Sequence, residues 1–206
     1  MLTSTQRFAL GRIARDIKAL VGYPVWLLQG SPAPDNHTYK KRRIHKIARL
    51  YGCDTFIETG TFYGQMVHFA KSKFRSVISI EIYKPFFEQN VALFERDKNV
   101  HIIVGDSSVA LSQAFSLSTG KILFWLDGHY SGDGTGRGDK ISPIIEELRL
   151  IAGLGQPESC IIIDDRRLFT GIDGYPTMDE TTRELLAINP DYAITFDSDC
   201  IIAAPR

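Results

Sequence analysis

No stretch of this chain approaches the roughly 20 consecutive apolar residues that a bilayer-spanning helix needs, so no membrane role is expected. Charge of one sign is not in excess either, because 24 lysines and arginines balance 24 acidic residues. No whole-molecule field therefore draws the chain to nucleic acid or to an anionic membrane. Cysteine is scarce: Cys53, Cys160 and Cys200 are widely spaced and lie in or beside apolar, strand-like segments. Such a set suits small buried hydrophobes and makes neither a disulfide framework nor a zinc site. The first residues, Met1 to Arg7, lack the charged start and apolar run of a secretory signal, so the cytoplasm is the expected compartment. Repeats and low-complexity tracts are also missing, which suits 206 residues to one globular unit with a sizeable core.

What is present begins with Ile13, Ile17, Leu20 and Val21 at helical spacing, a pattern that Gly22 and Pro24 are expected to stop. This predicts an amphipathic helix packed on the domain or on a partner, including a second copy of the chain. A turn-rich connector, residues 30–36, reads as a lid or a linker. From Thr38 to Tyr51 a second helix carries Ile44, Ile47, Ala48 and Tyr51 on one face, with Lys40, Lys41, Arg42, Arg43, Lys46 and Arg49 assigned to a solvated face. No aromatic platforms are interleaved with these basic residues, so RNA binding is not favoured. Residues 1–52 are expected to form a helical extension or cap on a domain spanning 53–206.

From there strands and helices alternate. Apolar, β-branched runs predict strands at 55–58, 76–81, 100–104, 122–127 and 160–164, with helices from about Phe62, over 85–96, after Asp106 and over 143–154. Phe86, Phe87, Phe94 and His68 are placed in the core. After a helix over 178–188, the segments 192–196 and 200–203 flank Asp197-Ser-Asp199 and read as a hairpin. The expected fold is α/β and Rossmann-like: a doubly wound, mostly parallel seven-stranded sheet with an antiparallel C-terminal hairpin and helices on both faces.

Three strands end in carboxylates, Glu58, Glu81 and Asp127, at the edge where open α/β sheets bind ligands. The turn Glu58-Thr-Gly-Thr-Phe-Tyr-Gly64 lacks the G-x-G-x-x-G spacing of a pyrophosphate site, which ranks a nicotinamide dehydrogenase last. An acidic residue at that turn repels a pyrophosphate but attracts an ammonium group, and Gly60 and Gly64 allow close backbone approach. Glu81, about twenty residues on, is placed to accept hydrogen bonds from ribose hydroxyls. Gly105-Asp106-Ser107 follows the third strand, within reach of an adenine. With these stations in order, the chain from Asp54 onward resembles the class I S-adenosylmethionine-dependent methyltransferases. The resemblance implies that Glu58, Gly60, Thr61, Gly64, Glu81, Ile82, Asp106 and Ser107 bind S-adenosylmethionine.

Asp127 and the pair Asp164-Asp165 end adjacent strands, so three carboxylates are expected to converge. Unrelieved, such a cluster is electrostatically costly, and a hard divalent cation such as Mg2+ would relieve it. In this respect the chain is similar to the metal-dependent O-methyltransferases of the catechol and macrocin types, which implies Asp127, Asp164 and Asp165 as metal ligands. The alternative is that Asp164 caps a turn and Asp165 pairs with Arg166 or Arg167. His129 is the candidate general base, with Asp127 as the other catalytic carboxylate; His129 could equally bind the metal or line the pocket. The catechol enzymes use a lysine as base, and residues 129–136 contain none. Gly132 to Asp139, with Arg137, reads as a gating loop or a plain surface loop, and Phe169 to Pro176 as a wall of the acceptor pocket. The expected activity is transfer of a methyl group to a hydroxyl of a small molecule, a sugar or natural product. The competing readings are an RNA or protein methyltransferase and a non-catalytic binding protein of the same fold.

Overall fold

The computed structural model describes residues 2–128 and 141–206. Seven strands form one sheet: β1 (Thr55–Thr59), β2 (Ser76–Glu81), β3 (Val100–Val104), β4 (Ile122–Leu126), β5 (Cys160–Ile163), β6 (Tyr192–Asp197) and β7 (Cys200–Pro205). Their spatial order is β3-β2-β1-β4-β5-β7-β6. The first five are parallel, and β7 runs antiparallel to both β5 and β6. The helices are α1 (Ser4–Leu28), α2 (His37–Tyr51), α3 (Gln65–Ala70), α4 (Lys84–Phe94), α5 (Ser107–Ser116), α6 (Ile144–Gly153) and α7 (Met178–Ile188). The doubly wound plan and its antiparallel ending are as expected.

Every residue of β1, β2, β4 and β5 is buried. A strand covered on both faces serves two cores with successive side chains. Ile57, Ile78, Phe124 and Ile161 pack with Leu111 of α5, Leu148 of α6 and Leu185 of α7. Phe56, Val77, Leu123 and Ile162 pack on the opposite face with Ile44 of α2, Val67 of α3 and Phe94 of α4. The same alternation carries Glu58, Ser79, Glu81, Asp127 and Asp164 to the face of α2, α3 and α4, because each lies an even number of residues from a member of the second core.

Register then aligns the strand ends. Thr59 pairs with Ile80 on one side and Leu126 on the other, and Leu126 pairs with Ile163. The residues that follow, Gly60, Glu81, Asp127 and Asp164, therefore share one rim. It lies at the switch point between β1 and β4, where the strand order reverses.

Two local expectations fail. Pro24 does not stop the first helix, which continues to Leu28 with Pro24 inside it. An interior proline costs about 3 kcal/mol, but Trp26 beyond it is buried, packs on Tyr39 with ring centres 5.1 Å apart and donates from Nε1 to Pro32 O at 2.7 Å. That anchoring holds the last turn in helical form. His68 is exposed, because Met66, Val67 and Ala70 take the buried face of α3. Phe94 is buried as expected, and Phe86 and Phe87 are partly so.

Candidate active site

Glu58 is 1 % exposed, and its Oε1 accepts from Ser79 Oγ at 2.6 Å, which in turn lies 2.6 Å from Thr61 Oγ1. Burial, with Asp127 and Glu81 adding repulsion, raises its pKa well above the ordinary carboxylate value. A carboxyl in that state gains from a cation brought to the rim.

Gly60 has φ +91°, and a Cβ there would meet Asp127 O at 2.9 Å, so only glycine lets β1 and β4 close at this level. Gly64 has φ +69°, and its Cβ would lie 2.3 Å from Asn90 Oδ1 and 2.7 Å from the Phe94 ring. The freedom of Gly64 is thus taken by packing against α4. Asn90, fully buried, donates from Nδ2 to Phe62 O at 2.7 Å and Phe86 O at 2.9 Å, tying the turn to that helix.

Glu81 stands beside this turn. Its Oε2 accepts from the Phe62 amide and its Oε1 from the Tyr83 amide, both at 2.8 Å. Each carboxylate oxygen can accept about two hydrogen bonds, and the amides of Ile82 and Thr61 also act on this group. Burial raises the pKa of Glu81, and the amides of Tyr83 and Phe62 work against that rise. Ile82 follows, half-buried. Asp106 caps α5, its Oδ1 accepting from Ser108 N at 2.9 Å and Ser108 Oγ at 2.6 Å. Ser107 is buried next to it.

At the far end of the rim, Asp127, Asp164 and Asp165 bring carboxylate oxygens within 4.8 Å of one another. Asp127 is half-buried, and the other two are buried. Lys40 enters this cluster from the first turn of α2. Its ammonium bonds Asp164 Oδ2, lies 4.0 Å from Asp165 Oδ1 and sits 5.9 Å from the Trp125 ring centre. Burial opposes the charge on Lys40, but Asp127, Asp164 and Asp165 together more than offset this and hold its pKa above the ordinary lysine value. Asp164 accepts from Cys200 Sγ on its other oxygen, at 3.2 Å, and burial raises its pKa. Arg167 Nη1 donates to Asp165 Oδ1 at 2.7 Å and bonds Asp199, so the pairing weighed for Asp165 exists alongside the convergence. Asp165 has φ +55°, a conformation that costs a non-glycine residue about 1–3 kcal/mol and gathers at functional sites.

The donor chemistry suits a hard divalent cation: carboxylate oxygens, close together, at a strand edge. Such an ion fits only where Lys40 withdraws, since its ammonium already bonds one of the three. This corrects the solvated-face reading of α2. Lys40 meets Asp164, Lys41 bonds Asp16 Oδ1 at 2.6 Å, and the Arg43 guanidinium bonds Asp35 Oδ2 at 2.6 Å and Asp197 Oδ2 at 3.0 Å. Only Arg42, Lys46 and Arg49 of that set remain exposed.

The roles of three residues escaped the sequence reading. Lys40 and Arg43 share the spacing of Ile44 and Ile47, and that inward spacing was the signal. Glu147, on α6, left none: it is 1 % exposed, presses its Oε1 toward Gly128 and makes no hydrogen bond through that atom among the described residues. Burial raises its pKa to about 7, with Ser107 and Thr59 partly offsetting that rise. Glu147 and Asp164 line a cleft beside the rim together with Phe169 and Tyr175, which places part of the 169–176 segment against the carboxylate cluster. His129 and the loop of Gly132 to Asp139 with Arg137 lie outside the described residues.

No family model and no curated protein matches the chain. Solved structures do. An O-methyltransferase from Bacillus cereus in complex with S-adenosylhomocysteine (SAH) is similar over 92 % of this chain and 90 % of that one, with 16 % identity and a TM-score of 0.61. TomG, an O-methyltransferase from Streptomyces achromogenes involved in tomaymycin synthesis and solved with S-adenosylmethionine, is similar over 95 % and 90 %, with 14 % identity and a TM-score of 0.56. A candidate rRNA-methylase from Clostridium thermocellum is similar over 78 % and 93 %, with 14 % identity and a TM-score of 0.53. Together with the strand order and the antiparallel β7, these likenesses give the chain the fold of the class I S-adenosylmethionine-dependent methyltransferases.

Proposed function

We propose that this chain is an S-adenosylmethionine-dependent O-methyltransferase acting on a hydroxyl of a small molecule, of the sugar or natural-product class. The observation that carries the reading is Glu81, a carboxylate fixed at the end of β2 by the backbone amides of Phe62 and Tyr83, beside the turn that follows β1. Beside it, Glu58 supplies negative charge for the cofactor's ammonium, and the Gly60 turn closes the floor between β1 and β4. Thr61, Gly64, Ile82, Asp106 and Ser107 complete the proposed cofactor side.

Methyl transfer from a sulfonium is a displacement, governed by in-line positioning and by an acceptor oxygen made anionic. A divalent cation of the magnesium type would be held by Asp127, Asp164 and Asp165 and would lower the pKa of an acceptor hydroxyl. Asp127, half-buried at the rim next to Gly60, would take that hydroxyl's proton, and His129, two residues further on, is the other proposed base. Lys40 positions Asp164 and must yield it for such an ion to enter. Phe169 and Tyr175 line the adjoining cleft.

The test is methyl transfer from isotopically labelled S-adenosylmethionine to three acceptor sets: hydroxylated small molecules, total RNA and denatured protein, each with and without chelator. The reading expects label on a small-molecule oxygen and loss of transfer with chelator. Label on RNA, retained in chelator, contradicts it.

A further inference from the structure

Among the described residues, the body of the protein covers only one side of α1. Phe8, Arg12 and Trp26 of that helix are buried, Phe8 stacking on Tyr63 at 4.8 Å. The opposite side is apolar and open, from Leu10 through Ile13, Ile17, Leu20 and Val21 to Leu28, with exposures between 43 % and 89 %. The spacing from Leu10 to Pro24 alternates threes and fours, which is the seam pattern of one helix lying along another. At 1.5 Å per residue the stripe runs roughly 27 Å. With Ala14, Val25 and Leu27 at its margins it offers on the order of 700 Å² per copy, close to the about 800 Å² per partner of a standard interface and beyond the few hundred that monomers usually expose.

We propose that α1 pairs with α1 of a second copy of this chain, antiparallel about a two-fold axis at Ile17. The stripe is self-complementary about that residue: Leu10 meets Pro24, Ile13 meets Val21 and Ala14 meets Leu20, as a two-fold interface requires. Antiparallel order also sets opposite helix dipoles side by side. Formal neutrality leaves no net repulsion between copies. A bilayer surface is the less suited occupant, because interfacial helices turn aromatic residues toward lipid, whereas the helix's Phe8 and Trp26 face the body and Arg15 lies over the Tyr63 ring at 4.3 Å. This inference does not rest on the functional reading above.

Light scattering behind size exclusion, run on the full chain at micromolar concentration, tests it. The expected mass is about 46 kDa, twice the 23.1 kDa of one chain. Ile17→Glu with Leu20→Glu should yield monomer, with self-association at least about 100-fold weaker and an unchanged circular dichroism spectrum, since both side chains are more than half exposed. Ile17→Cys should cross-link to its partner under mild oxidation, while Leu28→Cys should not, the two copies of that residue lying at opposite ends of the pair. A monomeric wild type overturns the proposal, as does a dimer that survives the double substitution. Monomer that sediments with phosphatidylserine vesicles, and loses this in the double variant, overturns it in favour of a membrane surface.

Discussion

Replacing Glu147 with Gln should stabilise the protein above neutrality and leave it unchanged in mild acid. The side chain is 1 % exposed, one oxygen makes no hydrogen bond among the described residues, and burial raises its pKa from an ordinary 4.5 to about 7. The folded state therefore binds this proton more tightly than the unfolded chain does. Stability from this group is intact below about pH 4.5, falls as pH rises toward about 7, and is fully lost above. At 1.36 kcal/mol per unit, a rise of about 2.5 units corresponds to about 3 kcal/mol. Gln fills the same volume against Gly128 without a charge to bury. At pH 8 the variant should exceed the wild type by about 3 kcal/mol, or roughly 6–12 °C in Tm for a chain of this size. Near pH 4.5 the two should coincide. Urea denaturation followed by circular dichroism at several pH values between these limits measures the difference directly, and Glu58, buried with the same sign of shift, cancels from it. Two stability curves that stay parallel across the range would refute the reasoning.

The other predictions concern the rim. Lys40→Met removes the charge bonded to the fully buried Asp164 side chain and should cost about 3–5 kcal/mol, read as a fall in urea midpoint at pH 7; an unchanged midpoint shows that solvent already compensates Asp164. Gly64→Ala should destabilise by about 2–4 kcal/mol, because its Cβ meets Asn90 and Phe94, and thermal unfolding of the variant checks this. Because Glu58 must be ionised to receive an ammonium, SAH affinity should rise up to tenfold per pH unit as pH climbs toward the raised pKa of Glu58, then level off; titration calorimetry at several pH values reads that slope, and a flat profile removes Glu58 from the cofactor's ammonium.

Much of the architecture is legible in local sequence. The runs ending at Glu58, Glu81, Asp127 and Asp164 are apolar and β-branched because both faces of those strands are buried, and parity along a strand then sends all four carboxylates to one face. What was not legible depends on partners far along the chain. Nothing near Pro24 reveals that Trp26 will dock on Tyr39 and Pro32 and keep the helix going. The basic residues of α2 read as solvated because a helical pattern does not show where the helix lies, and its first turn lies over the ends of β4 and β5, where Asp164 waits for a cation. Glu147 and Asn90 are ordinary polar residues of amphipathic helices until the sheet presses Gly128 and Gly64 against them.

The central claim is that the β1–β2 rim binds the cofactor, and calorimetric titration of SAH into the wild type and Glu81→Gln tests it most directly. One molecule should bind per chain. The variant keeps one acceptor oxygen and loses the charge, so binding should weaken roughly 10- to 100-fold, the equivalent of about 1.5–3 kcal/mol for a hydrogen bond to a charged group. Absence of heat with the wild type, or equal affinity in the two proteins, would contradict the claim.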